Sequence, residues 1–233
     1  MSEGSRYELA DLLLFSARTY YRQFELYNAE LWPAQLFGIG LGLGILALVR
    51  SGTSRSARAV PLLLAACWLW VAWAFHLQRY ADINWAATWF AAAFATQGLM
   101  LLLAGAGAAA RPSVGPVRAA SSAIGLGLMV FALFVQPWIG VLFGRAWRQA
   151  EFFGLAPDPT VVFTLGVLLL LQPVRQGQTR TRPLPALLWP IPLLWCAVSG
   201  ATLWTMRAPD AVVMPLAALV AVVGLGIRAW SRA

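Results

Sequence analysis

Seven apolar stretches, at about 32–49, 60–77, 85–104, 119–143, 160–173, 184–204 and 211–228, occupy most of this 233-residue chain and dictate what it can become. A membrane-crossing helix needs about 20 predominantly apolar residues. The bilayer core offers backbone N–H and C=O groups no water, so such stretches must close their own hydrogen bonds as helices. Charged residues make up 11% of the chain and hydrophobic ones 60%, against roughly 25% and 45–50% in soluble domains. That balance excludes an ordinary globular protein, a disordered chain and a disulfide scaffold. The expected fold is all-α: a polytopic membrane protein of seven transmembrane helices. A single domain over 1–233 is expected, with 1–30 as an outer amphipathic segment and 31–233 as the helical bundle. The fifth stretch is short and is expected to begin near Asp158.

Residues 6–27 read as an amphipathic helix and not as a span. At 100° per residue, Leu9, Leu12, Leu13, Ala17, Tyr20, Phe24 and Tyr27 fall on one side, with Glu8, Asp11, Arg18, Arg22 and Glu25 on the other. Such a helix suits the headgroup plane or the flank of a bundle. Neither a basic start nor a small-residue cleavage site marks it as a leader, so it is expected to persist.

Charge supplies the orientation. All seventeen basic residues are arginines, against nine acids, for a net charge of +8. The absence of lysine excludes Schiff-base chemistry. The connections after the first, third and fifth stretches and the tail carry Arg50, Arg55, Arg58, Arg111, Arg118, Arg175, Arg180, Arg182, Arg228 and Arg232, and no acid. The other side carries seven arginines and all nine acids. The positive-inside rule therefore predicts an inner-membrane protein with its N-terminus outside and its C-terminus cytoplasmic. Arginines spaced between apolar segments flank a membrane and do not track phosphates, so no nucleic acid partner is expected. Cys67 and Cys196 fall inside apolar stretches and read as buried thiols.

At the outer connections a weak repeat appears: Arg79-Tyr-Ala-Asp82, Leu155-Ala-Pro-Asp158 and Arg207-Ala-Pro-Asp210, each followed by an apolar stretch. Aspartate is a preferred N-cap and proline suits a first helical turn, so three capped hairpins are expected. Gly38, Gly40, Gly42 and Gly44 offer two interleaved small-residue faces, as do Gly125 with Gly127 and Gly224 with Gly226 on a smaller scale.

Candidate site residues are sparse. The single histidine, His76, shares a helical face by spacing with Trp73 and Tyr80, either in the interfacial belt or as a ligand-contacting group. Gln97 and Gln136, with Thr88, Thr96 and Thr164, are the polar residues deeper in the stretches, where helix-to-helix bonding is their expected role. No Asp, Glu or Arg sits at a span centre, which counts against a pump or voltage sensor. One histidine rules out a His-rich metal centre or two-histidine haem ligation within the chain, and no nucleophile-elbow motif occurs. Enzymatic activity is accordingly the least favoured reading, and no cofactor is expected.

The outer-face residues carry a resemblance. Tyr27-Asn28-Ala-Glu-Leu-Trp32-Pro33-Ala-Gln35, His76 with Ile83-Asn84, and Phe153-Gly154-Leu-Ala-Pro157-Asp158-Pro159-Thr160 with Phe163-Thr164-Leu-Gly166 together resemble a bacterial family of uncharacterised multi-pass membrane proteins. The likeness runs from about residue 20 to the end. It implies a signature of Tyr27, Asn28, Trp32, Pro33, His76, Asn84, Pro157, Pro159 and Thr160. Asp158 departs from the family's cysteine, which weakens a soft-metal thiolate site.

Two expectations follow. A polar vestibule on the outer face binds or transports a small solute, with His76, Asn84, Asp158, Gln97, Trp32 and Glu30 as contacts; a cation would choose His76, Asp158 and Glu30. Alternatively the chain is an accessory subunit docking on a membrane-protein partner. In the first case His76, Asn84 and Asp158 point into one cavity. In the second they cap helices or face outward.

Overall fold

The computed structural model describes residues 15–107, 110–112, 119–173 and 184–230. Its helices are α1 (Ala17–Leu31), α2 (Ala34–Ser51), α3 (Ser54–Trp70), α4 (Ala87–Ala106), α5 (Ala119–Phe134), α6 (Gln136–Leu142), α7 (Pro157–Leu170), α8 (Leu184–Leu187), α9 (Pro190–Thr205) and α10 (Val213–Trp230). A three-residue antiparallel ladder pairs β1 (Ala110–Pro112) with β2 (Leu171–Pro173). Apart from that ladder the described fold is all-α.

The architecture is built around α7. All fourteen of its residues are buried, as expected of a helix that is apolar on every side. It packs against α3, α5, α9 and α10. At the crossing with α5 the two backbones meet through Gly125 and Gly166: a Cβ on Gly125 would lie 2.8 Å from the Gly166 carbonyl oxygen. Of each glycine pair, one member packs and the other faces open space. Gly38 and Gly42 meet Phe153 and Leu133, and Gly224 meets Leu169, whereas Gly40, Gly44, Gly127 and Gly226 touch nothing within 4 Å.

Among the described residues four helical segments are long and apolar enough to cross a membrane: Ala34–Ser51, Arg55–Asp82, Ala87–Ala106 and Val213–Trp230. A fifth is the pair Ala120–Phe134 and Gln136–Leu142, bent by 55°. Pro137 explains the bend, because it lacks an N–H and its ring displaces the carbonyl four residues earlier. The chain is thus multi-pass by helix length and composition. The expected seven helical stretches are all present, but α7 and α9, at 14 and 16 residues, fall short of a span. At about 1.5 Å per residue they reach roughly 21 and 24 Å, against a hydrocarbon core of about 30 Å. Being enclosed by protein along its whole length, α7 has no need to match lipid thickness.

Ser16 caps α1, its hydroxyl accepting from the Thr19 N–H at 3.2 Å. Tyr20, Tyr21, Phe24 and Tyr27 are buried along it while Arg22 stays exposed, so the amphipathic reading holds from Ala17 onward. Residues 6–14 of that reading lie outside the described residues. α1 joins α2 through a cis Trp32–Pro33 peptide. Large exposed apolar side chains cover the flanks, among them Phe37, Leu99, Leu194, Leu216 and Leu219. Exposed tryptophans are numerous, among them Trp32, Trp73, Trp85, Trp89, Trp147, Trp204 and, at the end of α10, Trp230. Tryptophan is enriched where a membrane protein meets the bilayer interfaces.

The three aspartates do not cap helices. Asp82 closes a 3-10 turn, Tyr80–Asp82, and is exposed, while α4 starts only at Ala87. Asp158 is the second residue of α7, whose capping position is Ala156, and Pro157 takes the first turn where Pro159 was expected. Asp210 turns its side chain inward to Arg145 at 2.5 Å. A local pattern suggested caps, and tertiary partners claimed two of the three carboxylates.

Candidate functional site

Polar side chains collect beneath α1 at the N-terminal end of α7. Two features of the backbone make this possible. The bend before α6 turns Gln136 and Gly140 into the bundle, where both are buried. The connection 143–156 then folds back over the end of α7, bringing Arg145 and Glu151 with it. Asn28 holds that connection, its amide donating to the carbonyls of Arg148 (2.9 Å) and Ala150 (2.8 Å). The Thr160 hydroxyl holds its far end, accepting from the Gly154 N–H at 2.9 Å and donating to the Ala156 carbonyl at 2.7 Å. Gly154 has φ of +78°, a conformation that favours glycine.

Arg145 is the hub. Its Nη2 donates to Asp210 Oδ2 at 2.5 Å and its Nη1 lies 3.6 Å from Glu151 Oε1. Its guanidinium stacks over the Tyr21 ring, 4.2 Å from the centroid. On the opposite side lies Gly140, where any Cβ would overlap the guanidinium. Tyr21 completes the clasp by donating its hydroxyl to Asp210 Oδ1 at 3.4 Å. Beside this cluster Asp158 accepts from Trp195 Nε1 at 2.8 Å and from the Ser199 hydroxyl at 2.7 Å. Gln136, Arg145, Glu151, Asp158, Asp210 and Met214 line a cavity of about 20 Å³, room for about one water molecule.

The electrostatics follow from burial and proximity. Burial, reinforced by the Asp158 charge, pushes the Glu151 carboxyl above the usual range, and Arg145 only partly offsets this. Burial works against the Arg145 charge, but Glu151 and Asp210 outweigh it and hold the guanidinium above its ordinary value. Burial also raises Tyr21, opposed by Arg145 and assisted by Asp210. Glu151 Oε2, Gln136 Oε1 and Arg145 Nη1 have no hydrogen-bond partner.

The residues singled out from the sequence divide among different places. Asp158 lines the cavity. His76 is fully buried but sits in a box of rings: Phe94 at 4.5 Å, Trp195 at 5.1 Å, Phe75 at 5.4 Å, Tyr80 and Phe90 at 6.1 Å. Both its ring nitrogens lack partners. It does not share a face with Trp73, which is exposed, because Val71–Leu77 winds as a π-helix. In that wider turn the i→i+5 repeat aligns His76 with buried Val71. Trp195 connects the two regions, touching His76 with its ring and Asp158 with its N–H.

Gln97 donates to the carbonyl of Leu188, in the turn between α8 and α9, at 3.1 Å, not to a neighbouring helix as expected, and leaves its Oε1 unpartnered. The Asn84 side chain serves the turn before α4, accepting from the Ala86 N–H at 3.0 Å. Glu30 is exposed and pairs with Arg79, and Trp32 is exposed at the surface. His76, Asn84 and Asp158 are therefore not gathered in one cavity. The metal set of His76, Asp158 and Glu30 is not assembled either: among the described residues no group of three or more His, Cys, Asp or Glu could hold a metal ion. Cys67 and Cys196 are buried free thiols, as expected.

The sequence singled out Asp210 and Gln136 but gave no reason to join them to Arg145 and Glu151. The available signal was the Pro137 kink between Gln136 and Gly140, which marks a stretch unable to continue straight. Motif residues now have structural roles: Asn28 and Thr160 hold the 143–156 connection, and Tyr27 accepts from Trp70 Nε1 at 3.1 Å. Residues 17–231 match a family of unknown function, DUF6064. The chain belongs to that family. No curated protein and no solved structure matches it.

Proposed function

We propose that this protein crosses the inner membrane seven times, N-terminus outside, and binds or transports a small solute at the polar cavity beneath α1. The observation that carries this reading is an unbalanced buried cluster. Glu151, Asp158 and Asp210 line one cavity with a single guanidinium, and polar atoms of Gln136 and Glu151 face it without partners. Natural proteins retain such a cluster at a cost in stability, since buried polar groups are ordinarily satisfied. Asp158 is the principal contact, with Arg145 and Glu151 beside it. His76, against Trp195, and Gln97 also carry unpartnered buried atoms away from the cavity. Asn84, Glu30 and Trp32 are assigned to architecture and the membrane interface. The cavity, about 20 Å³, has room for little more than one water molecule, so the solute the reading requires is small.

The accessory-subunit reading draws on the open faces at Gly40, Gly44, Gly127 and Gly226, where another helix could approach closely. Purification in mild detergent followed by native mass spectrometry separates the two. A lone chain retaining solute, and losing it in Asp158→Asn, supports the binding reading. A stoichiometric protein partner with no solute supports the subunit reading. Orientation is tested by reporter fusions: an outside-active reporter is expected to work after Asp82 and fail after Arg55 or Arg180, and the reverse would overturn the topology.

A further inference from the structure

Resting on that solute-binding reading, we infer that the cavity selects a water-sized cation that donates hydrogen bonds, of the ammonium class, and rejects anions. The partner inventory of the cavity supports this. Glu151 Oε2 and Gln136 Oε1 are buried acceptors with nothing donating to them. Gln136 is only 9% exposed, and its amide nitrogen has no better partner than Met214 Sδ at 3.6 Å. On the donor side, Arg145 Nη2 is committed to Asp210, and Nη1, 3.6 Å from Glu151 Oε1, makes no hydrogen bond. The unpartnered atoms of the lining are therefore two acceptors and one cationic donor already paired in charge with Glu151.

Charge points the same way. Asp158 and Asp210 outnumber the single guanidinium even while the Glu151 carboxyl, raised by burial, holds its proton, so the lining stays negative, and an anion would have to enter against that excess in a low-dielectric site. Asp158, held by Trp195 and Ser199, supplies charge to the cavity, and the unmet hydrogen-bonding demand beside it falls on Glu151 and Gln136. Size sets the last limit. A volume of about 20 Å³ admits one particle the size of water. Ammonium fits both requirements, because it is close to water in size and presents N–H donors in four directions. Divalent metals are a poor match, since no cluster of three ligating side chains stands within reach among the described residues.

The test is thermal unfolding of the full chain in mild detergent, at constant ionic strength and neutral pH. The titrants are ammonium, potassium, tetramethylammonium and phosphate salts. Ammonium should raise the unfolding temperature in a saturable way, as any ligand of the native state does. Potassium, alike in size but without N–H donors, should do so at much higher concentration, and tetramethylammonium should have no effect. Glu151→Gln and Gln136→Leu should each weaken the apparent ammonium affinity by about tenfold, roughly the worth of one hydrogen bond. Potassium acting as well as ammonium would overturn the donor requirement. Stabilisation by phosphate alone, lost in Arg145→Gln, would overturn the cation class while leaving a solute site in place. No response to any of the four salts, with Asp158→Asn indistinguishable from wild type, would overturn both.

Discussion

The two ends of α7 are finished in opposite ways. At its C-terminus the Arg228 guanidinium, buried to 6% exposure, donates to the carbonyls of Leu168 (3.1 Å) and Leu169 (3.2 Å). At its N-terminus sits the Asp158 carboxylate. Both charges have the sign the helix dipole favours, positive beside the free carbonyls and negative beside the free N–H groups. The resemblance stops there. Arg228 answers carbonyls that would otherwise be buried without donors, which is a structural task. Asp158 enters a neighbourhood already rich in carboxylates, where acceptors remain unanswered. Glu151 and Asp210 lie along the same cavity as Asp158, and no such excess of like charge surrounds Arg228 among the described residues.

Breaking the pairing at the N-terminal end should have the largest effect. Arg145→Ala strands two carboxylates that lose the one cationic partner they have among the described residues, at a cost of about 3–5 kcal/mol. Unfolding in mixed micelles should report that loss; a change below that of a surface arginine would mean the cluster is not held by charge. Next comes Arg228→Met, which keeps the bulk of the side chain but leaves two α7 carbonyls without this donor. A loss of about 1–3 kcal/mol is expected, with no change in any ligand response. If ligand response also falls, the two ends are coupled and the contrast between them fails.

Asp158→Asn sharpens the comparison further. The amide can still accept from Trp195, and the Ser199 hydroxyl can rotate to accept in turn, so stability should drop by about 1 kcal/mol or less. Solute retention should nevertheless vanish. Loss of stability without loss of retention would make Asp158 a mirror image of Arg228.

The smallest expected effect is a slope with pH. Glu151 is raised above its ordinary value of 4.5 by burial and by Asp158, with Arg145 opposing, so the native state binds a proton more tightly than the unfolded chain. Its contribution to stability is present in full below the unfolded value and is lost as pH rises through the raised one. Thermal stability should therefore decline from about pH 5 towards alkaline pH, and Glu151→Gln should flatten that decline. A stability that rises over the same interval would show Glu151 ionised in the native state.

Helices over all seven apolar stretches, the amphipathic character of α1 and the burial of both cysteines were legible from residues alone. Each depends on local periodicity and on the cost of an unpaired backbone in an apolar medium. Which face of α3 carries His76 was not legible, because a π-turn shifts the register by an amount that spacing cannot reveal. The aspartates misled for a related reason: Asp158 and Asp210 stand in cap-like sequences, yet Trp195, Ser199 and Arg145 approach from 37, 41 and 65 residues away. Arg228 read as one more charge flanking the membrane, and only packing turned it onto the end of α7. The sequence by itself determined a multi-pass helical chain with an amphipathic leading helix. Tertiary structure alone decided that α7 is the enclosed axis and that Arg145, Glu151, Asp158 and Asp210 share one cavity, since long-range partners are set by how helices cross and not by the order of residues along them.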